Sequence, residues 1–261
     1  MALEINFRIA TWNLDHASNS GRPKVEQVHK ICEINPHLVV LTETCRDVDL
    51  THLGYVGQWS TPNKYGKQYS AIWTRWPILE RVTTCSPELA TCAIVTTPFG
   101  ILAVYGTIFT YRNYKGVRGH LGPWEAHLKD IAVQGDDWQR IRASRNNCPL
   151  VVAGDFNQAR DGMGVYKSRR AIEALDNELQ RNDLVCATQE NFGAVGKLTV
   201  DPRLGRYRHN IDHICLPKAG FRVNRVDAWD GFLLGTDPLV RLSDHNGVYI
   251  DVATTGLQSA S

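Results

Sequence analysis

Leu150-Val151-Val152-Ala153-Gly154-Asp155-Phe156-Asn157 decides how this chain is read. Four apolar residues in a row after Pro149 describe a strand buried on both faces. Gly154 lets the backbone turn tightly. Asp155 and Asn157 stand at i and i+2, so both side chains can leave an extended segment on the same side. A carboxylate next to a carboxamide at the end of a buried strand suits the activation of a water. The carboxylate can take the proton, and the amide can hold the water or a phosphoryl oxygen. The same two residues could instead close an Asx-turn, so the choice falls to the rest of the chain.

Outward from that strand, the pattern is α/β. The stretch from about Pro123 to Ser144 reads as a helix leading into it, and 168–181 as a helix following it. Near the start, Ile5 to Thr11 alternates as a half-buried strand and ends in Thr11-Trp12-Asn13-Leu14-Asp15-His16. Pro23 opens a helix with Val25, Val28, Ile31, Cys32 and Ile34 at helical spacing. Leu38-Val39-Val40-Leu41 is a second buried strand, ending in Thr42-Glu43-Thr44. Antiparallel strands are expected near 55–59, 69–75, 78–85, 92–97 and 101–109, with a loop at 110–120. Shorter strands fit 184–187, 211–216 and 221–227, and a last one runs from Gly247 to Ala253. In such folds sites gather where strands end. One domain over 1–253 is expected, with a frayed tail from 254 to 261.

Composition narrows the partners. At 261 residues with 43% hydrophobic content, the chain can build a core without staples. A formal net charge of +2 gives little overall attraction to nucleic acid, so any basic footprint must be local. No run is long enough for a signal peptide's apolar region or a membrane span. The seven Cys show no C-x-x-C spacing; Cys32, Cys148, Cys186 and Cys215 are expected as buried thiols, and Cys85 and Cys92 as a reduced pair. These features point to a cytoplasmic protein that does not enter membranes.

Five strand ends carry polar residues: Asn13 with Asp15, Glu43, Asp155 with Asn157, Asp212, and Asp244-His245. Singly, each could be a cap or a structural ion pair. Jointly, they are best explained by one site. The ordered set Thr11-Trp12-Asn13, Thr42-Glu43, Gly154-Asp155-Phe156-Asn157, Ile211-Asp212-His213-Ile214 and Ser243-Asp244-His245 resembles the endonuclease/exonuclease/phosphatase superfamily, which includes apurinic-site endonucleases and pancreatic-type deoxyribonuclease. The resemblance implies a four-layered α/β/β/α sandwich of two mixed sheets packed face to face, with helices outside. It implies Glu43 as principal ligand of a divalent metal, Mg²⁺ with Mn²⁺ as substitute, flanked by Asn13, Asp15 and Asp244. It casts Asp155 as the group that orients or deprotonates the attacking water, Asn157 as its partner, His245 as the contact to the phosphoryl group, and Asp212 as the residue that fixes His245. The chemistry agrees with these roles. Mg²⁺ prefers oxygen ligands and few carboxylates, and phosphoryl transfer needs positioning and charge stabilisation more than covalent help.

One departure concerns the strand Ile101-Leu102-Ala103-Val104-Tyr105-Gly106-Thr107. The superfamily has a His or Tyr donor at its end, and the alignment places Thr107 there. Thr42 stands where many members have Gln. Candidate rim loops carry Lys64, Tyr65, Lys67 and Tyr69; Tyr111, Arg112, Tyr114, Lys115 and Arg118; and Arg160, Lys167, Arg169 and Arg170. Cations interleaved with rings suit a single-stranded backbone, so Thr107, Arg112, Lys115, Arg118 and Arg160 are the expected substrate contacts. The first reading is a metal-dependent phosphodiesterase acting on nucleic acid, with DNA foremost. The alternatives are the same chemistry on a small phosphoester or lipid headgroup, and a non-catalytic phosphate-binding module.

Overall fold

The apolar runs pair into strands that build two stacked sheets. The structure, a computed structural model, describes residues 4–16, 22–116, 119–146, 148–162, 166–236 and 239–255. In chain order the first half holds β1 (Asn6–Asn13), α1 (Arg22–Ile34), β2 (Leu38–Thr44), β3 (Val56–Trp59), β4 (Gln68–Thr74), β5 (Ile78–Val82), β6 (Ala90–Thr97) and β7 (Gly100–Ile108). The second half holds α2 (Glu125–Ala143), β8 (Leu150–Asp155), α3 (Arg169–Arg181), β9 (Leu184–Cys186), β10 (Asp212–Pro217), β11 (Phe221–Trp229), β12 (Phe232–Leu233), β13 (Val240–Arg241) and β14 (Gly247–Thr254).

One six-stranded sheet has the order β11-β14-β1-β2-β4-β3, the other β5-β6-β7-β8-β10-β9. Each is antiparallel except at its centre. There β1 runs parallel to β2, and β7 runs parallel to β8. Between the sheets lies an apolar layer in which Ile9, Val40 and Ile72 face Val95, Val104, Val151 and Ile214. The other face of the β7–β8 sheet is covered by α2 and α3 through Ile131, Trp138, Leu175 and Leu179. Ile31 of α1 joins Trp12, Val39, Leu41 and Trp73 on the remaining face. This is the four-layered sandwich expected from the resemblance, and the buried-on-both-faces reading of Leu150–Asp155 holds along the whole strand.

Some details differ from the sequence reading. Cys148, just before β8, is only partly buried, and Cys32 is exposed because the inward stripe of α1 is Gln27 and Ile31, leaving Val25 and Cys32, seven residues apart, outside. Thr254 is not frayed: it closes β14, and its N–H donates to Ile5 O at 3.0 Å. The tail beyond 255 lies outside the described residues. The short hairpin β12–β13 has no period long enough to read from sequence. Among the described residues no helix is long and apolar enough to cross a membrane.

Candidate active site

The two central parallel pairs explain why the polar residues meet. Parallel neighbours end at the same edge, so Asn13 and Glu43 finish β1 and β2 beside each other, and Asp155 finishes β8 next to the end of β7. The antiparallel neighbours begin where these end. Asp212, the first residue of β10, pairs in register with Asp155. Ser243-Asp244-His245 leads into β14 against the end of β1. Six strand ends thus converge at one edge of the sandwich.

Asp155 is held from three directions. Its Oδ2 accepts from Asn13 Nδ2 at 3.0 Å and Asn157 Nδ2 at 2.9 Å, and its Oδ1 accepts from the Asn157 backbone N–H at 2.7 Å. Asn157 Nδ2 also donates to Phe109 O at 2.9 Å, which ties the ends of β7 and β8 together. The Asp155 side chain does close an Asx-turn onto the Asn157 N–H, and that bond helps to fix its carboxylate. Burial pushes the Asp155 carboxyl up to about 8; the His245 imidazolium opposes this, while Asp212 and Glu43 add to it. A carboxylate poised this close to neutrality is suited to a general base.

His245 and Asp212 form the second part. His245 Nδ1 lies 2.6 Å from Asp212 Oδ2 with both side chains nearly buried. Burial works against a charged ring, yet Asp212 and then Asp155 hold its pKa up to about 10. At neutral pH it is an imidazolium able to contact a phosphoryl oxygen. The preceding loop is anchored by groups that the sequence did not single out for this role. Ser243 Oγ donates to Asn13 O at 2.6 Å and accepts from the His245 N–H at 2.9 Å, and Trp12 Nε1 donates to His245 O at 3.1 Å. Gly231 is needed here, since a Cβ would come within 2.3 Å of His245 O.

Glu43, Asp15 and Asp244 stand on the open side, with side chains 24%, 37% and 46% exposed. Each meets a basic side chain of the chain itself. His16 Nε2 approaches Glu43 at 3.1 Å, and the Arg241 Nη2 contacts Asp15 and, at 3.7 Å, Asp244. An oxygen-only donor set of carboxylates turned to the open side fits a hard divalent cation. The donor atoms of Asp155, Asp212 and His245 lie within 4.8 Å of one another, and the buried Asp212 Oδ1 has no hydrogen-bond partner. Asp15, His16, Glu43 and Asn157 all have positive φ, between 44° and 52°. Such backbone costs about 1–3 kcal/mol per residue and collects at functional sites.

Two expected contacts fall elsewhere. Thr107 faces α2, where its Oγ1 donates to Gln134 Oε1 and the side chain is fully buried. Strand alternation explains the one-residue offset: Leu102 and Val104 face the other sheet, so Gly106 and Ile108 do too, and Ile108 is the site-facing end of β7. The position that would carry a donor therefore carries an alkyl group. Arg160 is not a rim residue; its side chain is 6% exposed and ion-paired with Asp176 of α3. Arg112 and Lys115 are exposed, three and six residues beyond Phe109, and the Arg112 guanidinium lies 5.6 Å from the Tyr166 ring. Arg118 lies outside the described residues. From the other side, Tyr69 approaches His16 with ring centroids 6.2 Å apart. His16 and Arg241 were missed because neither sits in a buried-strand motif; the spacing of Arg241 three residues before Asp244 was the available signal.

Carboxylate oxygens beside a buried Asp–His couple suit hydrolytic phosphoryl transfer, and this chain falls among the metal-dependent phosphoesterases. More narrowly, it belongs to the endonuclease/exonuclease/phosphatase family, whose model matches residues 10–245. That family works with divalent metal ions. No curated protein matches the sequence. Solved structures share the fold at low identity. Human nocturnin's catalytic domain, with bound sulfate, is 21% identical over 96% of this chain and 94% of that one, with a TM-score of 0.64. The 3′ phosphatase NExo from Neisseria, bound to product DNA hairpin, is 18% identical over 94% and 98%, with a TM-score of 0.66. A humanized D. rerio TDP2 is 16% identical over 95% and 98%, with a TM-score of 0.63.

Proposed function

We propose that the chain hydrolyses phosphodiester bonds in nucleic acid, with DNA as the foremost substrate and Mg²⁺ (or Mn²⁺) as cofactor. The observation that carries this reading is the triple hold on Asp155 beside the Asp212–His245 couple, with Glu43 close enough to influence the Asp155 charge. Glu43, with Asn13, Asp15 and Asp244, would hold the metal, whose contribution is to polarise the phosphate and stabilise the leaving oxygen. Asp155 takes the proton of the attacking water. Asn157 and Asn13 fix the orientation of that carboxylate. His245 donates to a non-bridging phosphoryl oxygen, and Asp212 keeps the ring charged. Arg112, Lys115 and Arg118 neutralise the phosphate backbone beyond the scissile bond. The neighbour bound to a DNA hairpin supports nucleic acid as the substrate class. The free state of all seven cysteines suits the reducing cytoplasm.

A second reading keeps the chemistry on a small phosphodiester with a good leaving group, and Ile108 favours it, because an alkyl side chain offers the leaving oxygen no proton. One screen separates the two: turnover of single-stranded DNA, duplex DNA, RNA and bis(p-nitrophenyl) phosphate, with Mg²⁺ and with EDTA. The first reading expects metal-dependent cleavage of a nucleic acid, reduced in Asp155→Asn by about two to four orders of magnitude. Turnover confined to the aryl diester would favour the second.

A further inference from the structure

Arg241 has no role in the chemistry above, yet it touches the site. It ends β13, three residues before Asp244, and its guanidinium bridges two carboxylates from distant segments: Asp15 after β1 and Asp244 before β14. Its position is built by the fold. The N–H groups of Leu242 and Ser243 both donate to Gly231 O, at 2.8 and 2.9 Å, and Gln27 Nε2 donates to Leu242 O at 2.6 Å. The short β12–β13 hairpin therefore presents Arg241 at a fixed place on the lip of the site. Both carboxylate contacts run through Nη2, and the side chain is 39% exposed, so donors of the five-donor fork remain for another partner.

Charge makes that partner identifiable. Asp212 stands in register with Asp155, and Glu43, Asp15 and Asp244 line the open side of the same edge, while a phosphodiester is itself an anion. It can approach only past fixed positive charge. His245 lies deep in the site, 12% exposed and committed to Asp212. Arg241 is the more exposed cation, with the planar geometry that matches two phosphate oxygens. We infer that Arg241 is a substrate-positioning residue: it neutralises Asp15 and Asp244 in the metal-free chain and transfers to a non-bridging phosphate oxygen of the substrate when a divalent cation engages those carboxylates. This rests on the function proposed above.

Two effects of opposite sign follow, because Arg241 competes with the metal but recruits the phosphate. Calorimetric titration of Arg241→Ala with Mg²⁺ alone should show tighter metal binding than in the wild type. Titration of the Mg²⁺-loaded variant with inorganic phosphate should show binding weaker by about ten- to a hundredfold, the usual worth of a charge-assisted hydrogen bond. Arg241→Lys should recover part of the phosphate affinity. With bis(p-nitrophenyl) phosphate, KM should rise while kcat changes little. A residue that only braces the loop would give weaker metal binding in the variant, and that result overturns the inference, as does unchanged phosphate affinity. If the wild type binds phosphate in an Arg241-dependent way but cleaves no phosphodiester, the functional reading fails and the phosphate contact stands. If the wild type cleaves phosphodiesters but binds no phosphate, the inference fails and the functional reading stands.

Discussion

Replacing Asp212 by Asn keeps the shape of the side chain and removes its charge. In the wild type, Asp212 Oδ2 stands 2.6 Å from His245 Nδ1 and is the first of the groups that keep the ring charged up to about 10 against burial. An Asn oxygen can still accept from Nδ1–H, but a neutral bond is worth about half of a charge-assisted one, a loss of about 1–2 kcal/mol. At about 1.36 kcal/mol per pH unit this lowers the imidazole pKa by about one unit. Asp212 also raises the pKa of Asp155, so its neutralisation lowers that carboxyl as well. The proposed mechanism needs Asp155 ionised and His245 protonated. It therefore rises as Asp155 loses its proton and falls as His245 does, and both limbs of the kcat/KM profile should move toward acid in Asp212→Asn. Stability follows the same sign. The folded pKa of His245 exceeds its ordinary 6.5, so its contribution is complete below 6.5 and is lost as pH rises through about 10. In Asp212→Asn the loss starts from the same 6.5 but is complete about one unit earlier and smaller in total, visible as an alkaline fall of Tm that levels off at lower pH. Limbs that stay in place, or an alkaline limb that moves upward, would refute the assignment of His245 as the acid held by Asp212.

Other substitutions test other parts of the site. Ile108→His restores a donor at the end of β7 and should speed cleavage of alkyl diesters by about a hundredfold while leaving activated aryl diesters nearly unchanged; equal effects on both would remove the leaving-group argument. Gly154→Ala should cost on the order of 3 kcal/mol or more in urea denaturation, because a Cβ at φ +143° would come within 1.8 Å of Thr107 O. A change below about 0.5 kcal/mol would be the contrary result, that of an ordinary surface substitution. Removing charge at Arg112, Lys115 and Arg118 together should flatten the salt dependence of single-stranded DNA affinity by about 0.7 in log–log slope for each phosphate no longer neutralised; an unchanged slope would mean that the loop does not track a phosphate backbone.

Much of the fold and site was legible because buried strands advertise themselves. The run Leu150–Ala153 and the run Leu38–Leu41 are apolar without interruption, so the polar residues after them had to sit at strand ends. Asn13, Glu43, Asp155, Asn157, Asp212 and His245 then follow, and the structure brings them together. Thr107 shows where a strand pattern stops being informative. The end of a continuous apolar strand gives no sign of which alternate residue faces which layer, and an offset of one residue exchanges the site for the α2 interface. Arg160 differs for another reason: a long cation in a loop reads as exposed unless its partner, Asp176 on the next helix, can be seen. Arg241 and Ser243 act through contacts more than 200 residues distant in the chain. Their local signals, the i,i+3 spacing of Arg241 to Asp244 and the place of Ser243 beside Asp244-His245, do not show these distant partners.

Metal-dependent hydrolysis at this site is tested most directly by turnover of single-stranded DNA and bis(p-nitrophenyl) phosphate. The purified chain and its Glu43→Gln variant would be assayed in excess EDTA and after addition of Mg²⁺ or Mn²⁺. The expected result is no turnover in EDTA, recovery in the wild type on adding metal, and a loss of at least about two orders of magnitude in the variant, with its thermal unfolding unchanged. Full turnover in EDTA, or a Glu43→Gln chain as active as the wild type, would contradict a metal-dependent phosphodiesterase built on Glu43.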